Sequence, residues 1–256
     1  MSNDKPGSAL PVADLSDYAL DASAVIAGYG NKTILQNLDL HIRPGEIYAL
    51  LGGNGAGKTT TLSLFLGFLA PRSGHVRVCG LDPVAHAVEA RRRLAYIPEN
   101  VALYEHLSAR ENVSYLLDLA NQTAGRDVID QALSAAGLAA EAFDRRIDGF
   151  SKGMRQKVAI ALALARKVPA LLLDEPTSGL DPQASAEFNR LLGRLREQGV
   201  AVLMVTHDLL SAADVADRIG FLDAGQLVEE VAAAGEDRFD IRALHRRYAG
   251  QVEHAS

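Results

Sequence analysis

The chain has 256 residues, of which 48% are hydrophobic and 23% are charged, and its formal net charge is −6. This length and composition are typical of a globular protein with one or two domains. The acidic charge disfavours nucleic acid as a partner, because nucleic acid attracts basic surfaces. The single cysteine, Cys79, excludes a disulfide framework and a cysteine-bound zinc site.

The N-terminal part of the chain predicts an extension followed by strands. Residues 1–18 are polar and lack the apolar core of a signal peptide, so we expect a flexible extension there. Alternating apolar residues predict strands over 19–26, over 35–42 and over 73–80. The longest apolar run, 158–165, is far too short to cross a membrane.

Residues 52–59 read Gly-Gly-Asn-Gly-Ala-Gly-Lys-Thr and fit the phosphate-binding pattern G-x-x-x-x-G-K-[ST]. The apolar run 46–51 before it predicts a buried strand, and residues 58–69 after it predict a helix. Glycine loops turn backbone N–H groups toward phosphate oxygens, and a helix N-terminus adds partial positive charge. Lys58 is expected to bind the β- and γ-phosphates, and Thr59 to bind Mg²⁺. The predicted nucleotide-binding residues of this loop are Gly52, Gly53, Asn54, Gly55, Ala56, Gly57, Lys58, Thr59 and Thr60.

A helical region is predicted from about residue 100 to residue 166. Ser108 and Glu111 form the pattern of a capping box before an amphipathic helix. A second amphipathic pattern covers 128–136, and Gly137 is suited to end that helix. The third predicted helix, 155–166, is apolar on nearly all faces, so we expect it to be buried.

A buried strand is predicted over Leu171–Leu173, and two carboxylates follow it directly. A phosphate-binding loop needs a carboxylate at the end of another buried strand. Asp174 is therefore expected to hold Mg²⁺, and Glu175 to accept a proton from the attacking water.

The rest of the chain returns to alternating helix and strand. Asp181 and Pro182 are suited to begin a helix that ends at Gly199. A buried strand is predicted over 200–205 and a hairpin over 219–228. In the C-terminal tail, 231–256, we expect a helix near Ile241 to Tyr248. Together the elements predict an α/β nucleotide-binding core with a helical insertion.

Five further segments occur, together with the phosphate-binding loop, in the order typical of one family. Through them the chain resembles the nucleotide-binding subunit of an ABC transporter over about residues 19–230. The segments are Tyr29 in Ala27–Gly30, the joining loop Tyr96–Glu99, the signature Phe150–Lys157, the dimer-crossing segment Ser178–Asp181, and Thr206–Asp208.

The resemblance implies roles for individual residues. Tyr29 would stack on adenine, and Glu99 would join Thr59 and Asp174 as a magnesium ligand. Ser151 and Gly153 would grip the γ-phosphate of a facing cassette, as suits a helix N-terminus. His207 would contact the γ-phosphate and orient the attacking water, although its position alone favours an ordinary histidine at a strand end.

The resemblance also implies an architecture and partners. The fold would be a P-loop NTPase core with a mostly parallel sheet, an antiparallel β subdomain and an inserted helical subdomain at about 100–166. The protein would bind and hydrolyse ATP with Mg²⁺, and the ATP-driven dimerisation of two cassettes, in a homodimer, would power transport by a membrane exporter. The remaining partner would be a separate transmembrane permease that holds the protein at the cytoplasmic face of the membrane, with no nucleic acid bound and no direct insertion.

Two departures from the family pattern point to one of its branches. Residue 99 is Glu where Gln is usual, and the signature has Lys152 for Gly and Met154 for Gln. Both departures resemble ABC ATPases that pair with export permeases for drugs, lipids, polysaccharides or ions. The apolar residues of the 99–110 loop suggest the permease contact, and the alternative for them is core packing. They are Val101, Leu103, Tyr104 and Leu107.

Two other classes of function are the alternatives. A soluble ABC ATPase of DNA repair or translation would have a long coiled-coil insertion or two tandem cassettes. The chain has one phosphate-binding loop, and the segment between Glu99 and Phe150 is too short for such an insertion. The other alternative is an importer subunit, or a cassette of a non-transport membrane machine. The variant signature of this chain is the main feature that favours an exporter subunit over it.

Overall fold

The computed structural model describes residues 17–235 and 238–244. The strands are β1 (Leu20–Tyr29), β2 (Lys32–Ile42), β3 (Ile47–Leu51), β4 (Ser73–Val78), β5 (Leu94–Ile97), β6 (Ala170–Asp174), β7 (Ala201–Thr206), β8 (Arg218–Asp223) and β9 (Gln226–Ala232). The α-helices are α1 (Lys58–Phe65), α2 (Ala87–Arg92), α3 (Ala109–Leu119), α4 (Arg126–Ala135), α5 (Lys152–Arg166), α6 (Pro182–Glu197) and α7 (Leu209–Val215). None of the helices in the described part of the chain is long and apolar enough to cross a membrane.

The larger sheet has the strand order β5-β6-β7-β3-β8-β9. Its first five strands are parallel, and β9 pairs with β8 in the antiparallel direction. Every residue of β3 is buried, because the sheet is covered on both faces. Ile47, Ala49 and Leu51 join the core that includes the helices α3 to α7, while Tyr48 and Leu50 join the core on the other face.

A second sheet of three antiparallel strands, in the order β2-β1-β4, covers that other face together with α1. Leu20 and Val25 of β1 and Leu38 of β2 are fully buried against the larger sheet's residues Tyr48 and Leu50 in one continuous core. The predicted combination of a mostly parallel sheet with a smaller antiparallel sheet is therefore present in the structure.

The helices α3, α4 and α5 are inserted between β5 and β6, as the sequence predicted. The capping box at the start of α3 is formed. The Glu111 amide donates to Ser108 Oγ at 3.2 Å, and the Ser108 amide donates to Glu111 Oε2 at 2.7 Å. The next predicted helix start is also present, since Asp181 accepts a hydrogen bond from the Ala184 amide at 2.8 Å and Pro182 begins α6.

Several element predictions were wrong in detail. Helix α1 ends at Phe65 rather than at residue 69, because Gly67 adopts a left-handed backbone with φ of +70°. Residues Tyr96 and Ile97, predicted as part of a loop, belong to β5, whose four residues are too few to show a period. Helix α5 begins at Lys152, three residues earlier than predicted. The short helix α7 had no prediction at all.

The two ends of the chain are only partly described. Strand β9 continues to Ala232, beyond the predicted hairpin. Residues 241–244 are helical, in agreement with the start of the predicted tail helix, whose residues 245–248 lie outside the described residues. Most of the predicted N-terminal extension, 1–16, also lies outside them.

Candidate functional site

The candidate site lies where three neighbouring parallel strands end. The glycine loop follows β3, Asp174 and Glu175 lie at the end of β6, and His207 follows β7. Strand β7 pairs with both β3 and β6, so the three carboxyl ends meet at one edge of the sheet. Clefts at this edge of open α/β sheets are where such folds bind ligands.

The glycine loop is held in place by close packing from behind. Gly57 has a φ of +116°, and a Cβ atom there would lie 2.7 Å from Leu35 Cδ2, so only glycine fits. The Ala56 carbonyl accepts a hydrogen bond from the Gly225 amide in the β8–β9 turn at 3.0 Å. No side chain caps the N-terminus of α1 that follows, so its first N–H groups remain available to an anion.

Lys58, the first residue of α1, directs its ammonium group back to the loop. Its Nζ atom donates to the carbonyl oxygens of Gly52 at 2.6 Å and Gly53 at 3.2 Å. Burial lowers the pKa of Lys58, and the nearby carboxylates of Glu175 and Asp174 oppose that shift. The lysine charge therefore lies between the loop and the two predicted carboxylates.

A cavity of about 400 Å³ joins most of the predicted residues. Tyr29, at the end of β1, is 52% exposed and lines one part of it. Glu99, Asp174 and Glu175 line the cavity as well. Gly52 and Ala56 are buried and do not line it. The loop residues that line it are Gly53, Asn54, Gly55, Gly57, Lys58, Thr59 and Thr60.

Asp174 has a hydrogen-bond partner that the sequence did not reveal. Tyr96 Oη donates to Asp174 Oδ2 at 3.2 Å across the β5–β6 pair. Burial raises the pKa of Asp174; the hydrogen bond from Tyr96 opposes this rise, while the carboxylates of Glu175 and Glu99 add to it. Burial and Asp174 together raise the pKa of Tyr96 to about 12, so the phenol remains a donor at neutral pH.

The cavity has the donor atoms that suit a magnesium ion. The Thr59 hydroxyl and the carboxylates of Asp174 and Glu99 lie on its wall, and they offer hard oxygen atoms of the kind that Mg²⁺ prefers. Within the described residues, no three His, Cys, Asp or Glu side chains form a metal-binding group by themselves. That agrees with the usual binding of Mg²⁺, which takes one or two carboxylates and completes its shell with water and substrate phosphates.

Glu175 is the most constrained residue of the site. Its φ of +45° is unusual for a residue with a side chain, and such backbone strain concentrates at functional sites. Its Oε2 atom accepts hydrogen bonds from Thr206 Oγ1 at 3.0 Å and from the His207 amide at 3.2 Å, and it lies 2.9 Å from His207 Nδ1. The side chain is 15% exposed. The sequence analysis did not predict that Thr206 holds Glu175. The signal available for it was the position of Thr206 at the end of a predicted strand, next to His207.

Ser151 and Gly153 do not reach the glycine loop of their own chain. Ser151 caps α5 by accepting a hydrogen bond from the Met154 amide at 3.3 Å. Both residues line a different cavity of about 300 Å³, formed with Leu180, Asp181 and residues of α6. The structure therefore brings together the predicted residues of the loop, the carboxylates and His207, and leaves the signature pair apart from them.

Comparisons with known proteins agree with this geometry. The sequence profile of the ABC transporter family matches residues 35–178. The linearmycin resistance ATP-binding protein of Bacillus subtilis is 33% identical over 211 residues, 82% of this chain and 68% of that protein. The Nod factor export ATP-binding protein I of Paraburkholderia xenovorans is 34% identical over 220 residues, 85% of this chain and 72% of that protein. A dimeric cassette solved in a post-hydrolysis state with ADP and Pi is 28% identical with a TM-score of 0.73, covering 84% of this chain and 99% of that one.

Proposed function

The chain belongs to the ABC transporter family as an ATP-binding and ATP-hydrolysing subunit, and from that premise we propose how its residues do this work. ATP binds in the 400 Å³ cavity with Mg²⁺, two copies of the chain close on two nucleotides, and a separate permease chain uses the closure to move a substrate outward. The observation that carries the proposal is the shared cavity of the glycine loop, Asp174 and Glu175.

Each group in the cavity suits one part of the nucleotide. The half-exposed ring of Tyr29 lines the same cavity and offers a face for adenine. The loop amides, the uncapped start of α1 and the Lys58 ammonium bind the phosphates. Thr59, Asp174 and Glu99 would hold Mg²⁺, which when bound offsets the negative charge of the phosphates.

Glu175 is the general base of this proposal. Its Oε2 atom is held by Thr206 and His207, so the carboxylate has one orientation, and it accepts a proton from a water that attacks the γ-phosphate. The His207 side chain is largely exposed and lies next to Glu175, and its proposed role is to contact the γ-phosphate. Holding the base in place before reaction is how such sites lower the barrier without reorganising.

A second copy of the chain supplies the remaining phosphate contacts. Ser151 and Gly153 lie at the start of α5, whose N-terminal amides suit an anion. A Cβ atom on Gly153 would meet its own chain only at ordinary distances, 3.6 Å to Leu180 and 3.8 Å to Ala184. The packing of one chain therefore does not require glycine at 153, which supports a close approach by a partner's nucleotide there.

The Gly153→Asp variant tests the homodimer. It places a negative charge where the partner's γ-phosphate is proposed to bind, so we expect ATP-dependent dimers to be lost while ATP still binds each chain. Dimer formation is measured by size-exclusion chromatography in a Glu175→Gln background with ATP. The matched control is Gly193→Asp on α6, where a Cβ has open space. Dimers that persist in Gly153→Asp would remove the signature from the interface.

Export is the direction of transport that we propose. One relative is named an export protein and another a resistance protein. The same departures in this chain, Glu99 and the Lys152 and Met154 variants of the signature, resemble the export branch. In this proposal the permease, rather than this chain, determines which class of substrate is transported.

The permease contact is proposed around Tyr104. Tyr104 and Tyr115 are 40% and 43% exposed, and their rings meet edge to face at a centroid distance of 5.0 Å. Leu119, one turn further along α3, is 59% exposed. Val101 and Leu103 of the predicted contact set instead pack against the core. The proposed permease surface therefore excludes Val101 and Leu103 of the predicted loop. It includes Tyr104 and adds Tyr115 and Leu119 of α3.

A buried asparagine holds this loop in shape. The Asn112 side chain is fully buried; its Oδ1 accepts from the Tyr104 amide at 2.8 Å, and its Nδ2 donates to the Tyr104 carbonyl at 3.1 Å and the Ser108 carbonyl at 2.9 Å. Buried polar groups are kept when all their hydrogen bonds are made. The exposed tyrosine is thus presented by a rigid loop.

The double variant Tyr104→Ser and Tyr115→Ser tests the permease surface. We expect it to lose co-purification with the permease from detergent-solubilised membranes, because the central apolar contacts of an interface carry most of its binding energy. Its ATP hydrolysis without permease is expected to remain. The control is Val228→Ser, an exposed apolar residue on β9. Loss of hydrolysis together with binding would show that these rings serve folding instead.

A further inference from the structure

We propose that Lys152 is a positioning residue for Glu99, so that the magnesium side of the nucleotide cavity is tied to the signature helix α5 of the same chain. This inference rests on the proposed function, since it assigns Glu99 to the magnesium site. It goes beyond that proposal by naming a residue outside the cavity that sets how Glu99 is held.

The contacts of Glu99 carry the inference. Its Oε1 atom accepts a hydrogen bond from Ser178 Oγ at 3.1 Å and lies 3.8 Å from Lys152 Nζ. Its Oε2 atom makes no hydrogen bond or ion pair with the described residues. One oxygen is thus held by the protein, and the other is left for a metal ion on the cavity wall.

These contacts join three separate parts of the chain. Glu99 follows β5, Lys152 begins α5, and Ser178 lies after β6 in the segment that leads to α6. The amine of Lys152 also lies close to this last segment, since a Cβ on Gly179 would be 3.9 Å from Nζ. A movement of the α5 N-terminus would therefore change the position of the positive charge next to the Glu99 carboxylate.

The position of Lys152 is unfavourable on its own. A helix N-terminus bears partial positive charge and prefers acidic side chains, yet the first turn of α5 has no acidic residue and starts with this lysine. Glu99 supplies the missing negative charge from outside the helix. Since both side chains are partly exposed, the pair adds little to stability; its effect is the orientation of the carboxylate.

Glu99 and Lys152, two residues at which the chain departs from the family pattern, thus form an ion pair. A neutral glutamine at 99 and a glycine at 152 would need no pairing. A carboxylate at 99 adds a third negative charge beside Asp174 and Glu175, and a lysine at 152 offsets it. Lys152 provides that charge at Oε1, the oxygen that also accepts the hydrogen bond from Ser178.

The test is a double-mutant cycle on metal-dependent ATP binding. ATP affinity is measured by calorimetry with Mg²⁺ and with EDTA, in a Glu175→Gln background so that ATP is not consumed. The association constant with Mg²⁺ divided by the association constant with EDTA measures how much the metal contributes to ATP binding. Lys152→Met is expected to lower this ratio by about two- to fivefold, the size of an exposed ion-pair effect. In a Glu99→Gln background, Lys152→Met is expected to leave the ratio unchanged.

Lys157→Met is the matched control, because Lys157 is on the same helix and pairs with Glu187 at 2.9 Å, away from Glu99. It should not alter the ratio in either background. An unchanged or raised ratio in Lys152→Met, or an equal loss in both backgrounds, would overturn the inference. Those results would leave the proposed function intact as long as Lys58→Ala weakens ATP binding. An unchanged ATP affinity in Lys58→Ala would count against the proposed function itself.

Discussion

The Glu175→Gln variant is expected to lose about 10²–10⁴-fold in the rate of ATP hydrolysis, the usual contribution of a general base. The amide keeps the shape of the side chain, and its oxygen still accepts from Thr206 and the His207 amide. It cannot take a proton from water at neutral pH. ATP binding and the ATP-dependent dimer should therefore persist, and the dimer should accumulate because hydrolysis no longer separates it.

Phosphate release under steady state and ATP affinity by calorimetry measure the two halves of this expectation. Glu141→Gln is the control for an ordinary loss of charge, because Glu141 is an exposed residue of the helical insertion. A Glu175→Gln protein that hydrolyses ATP at the normal rate would exclude Glu175 as the base. The same variant, tagged and purified with ATP from membranes, is also the protein with which to capture the permease chain.

The Lys58→Ala variant is expected to weaken ATP binding itself, by roughly 10- to 100-fold. A hydrogen bond to a charged group is worth about 1.5–3 kcal/mol, and each 1.4 kcal/mol is a factor of ten in affinity. The loss follows because burial and the glycine loop hold this ammonium at the place proposed for the phosphates. Hydrolysis at low ATP concentration should fall in the same proportion or more.

Because Lys58 also donates to the Gly52 and Gly53 carbonyls, the fold of the loop needs its own check. Thermal unfolding without nucleotide should show little change in Lys58→Ala. Lys157→Ala is the control for an ordinary loss of positive charge, since Lys157 pairs with Glu187 and does not line this cavity. An unaltered ATP affinity in Lys58→Ala would show that the phosphates bind elsewhere.

Much of the fold was predictable because its signals are local. The buried strand, glycine loop and helix around residue 58 are contiguous, and each shows its own period or composition. The predicted fold class is confirmed by the match to solved cassettes. Errors fell on short elements such as β5 and α7, whose few residues give no periodicity, and at Gly67, where a left-handed residue ended α1 early.

The roles of the predicted site residues remain predictions, but their placement divides into two groups. Lys58 and Glu175 were drawn from motifs that lie next to strands, and the structure places them in one cavity. Ser151 and Gly153 were also drawn from a motif, but one chain does not bring them to that cavity. The resemblance implied that these two residues contact a second copy, and the structure of a single chain does not contain that contact.

The sequence by itself determined the family, the phosphate-binding loop and the pair of carboxylates, because each depends on neighbouring residues and the backbone that they favour. Only the tertiary structure decided which side chains hold them: Thr206 for Glu175, Tyr96 for Asp174, and Lys152 with Ser178 for Glu99. The hydrogen-bonded partners are 31 to 79 positions apart. They meet because β7 lies between β3 and β6 and β5 pairs with β6. That strand order results from burying both faces of one sheet, which is a property of the whole chain.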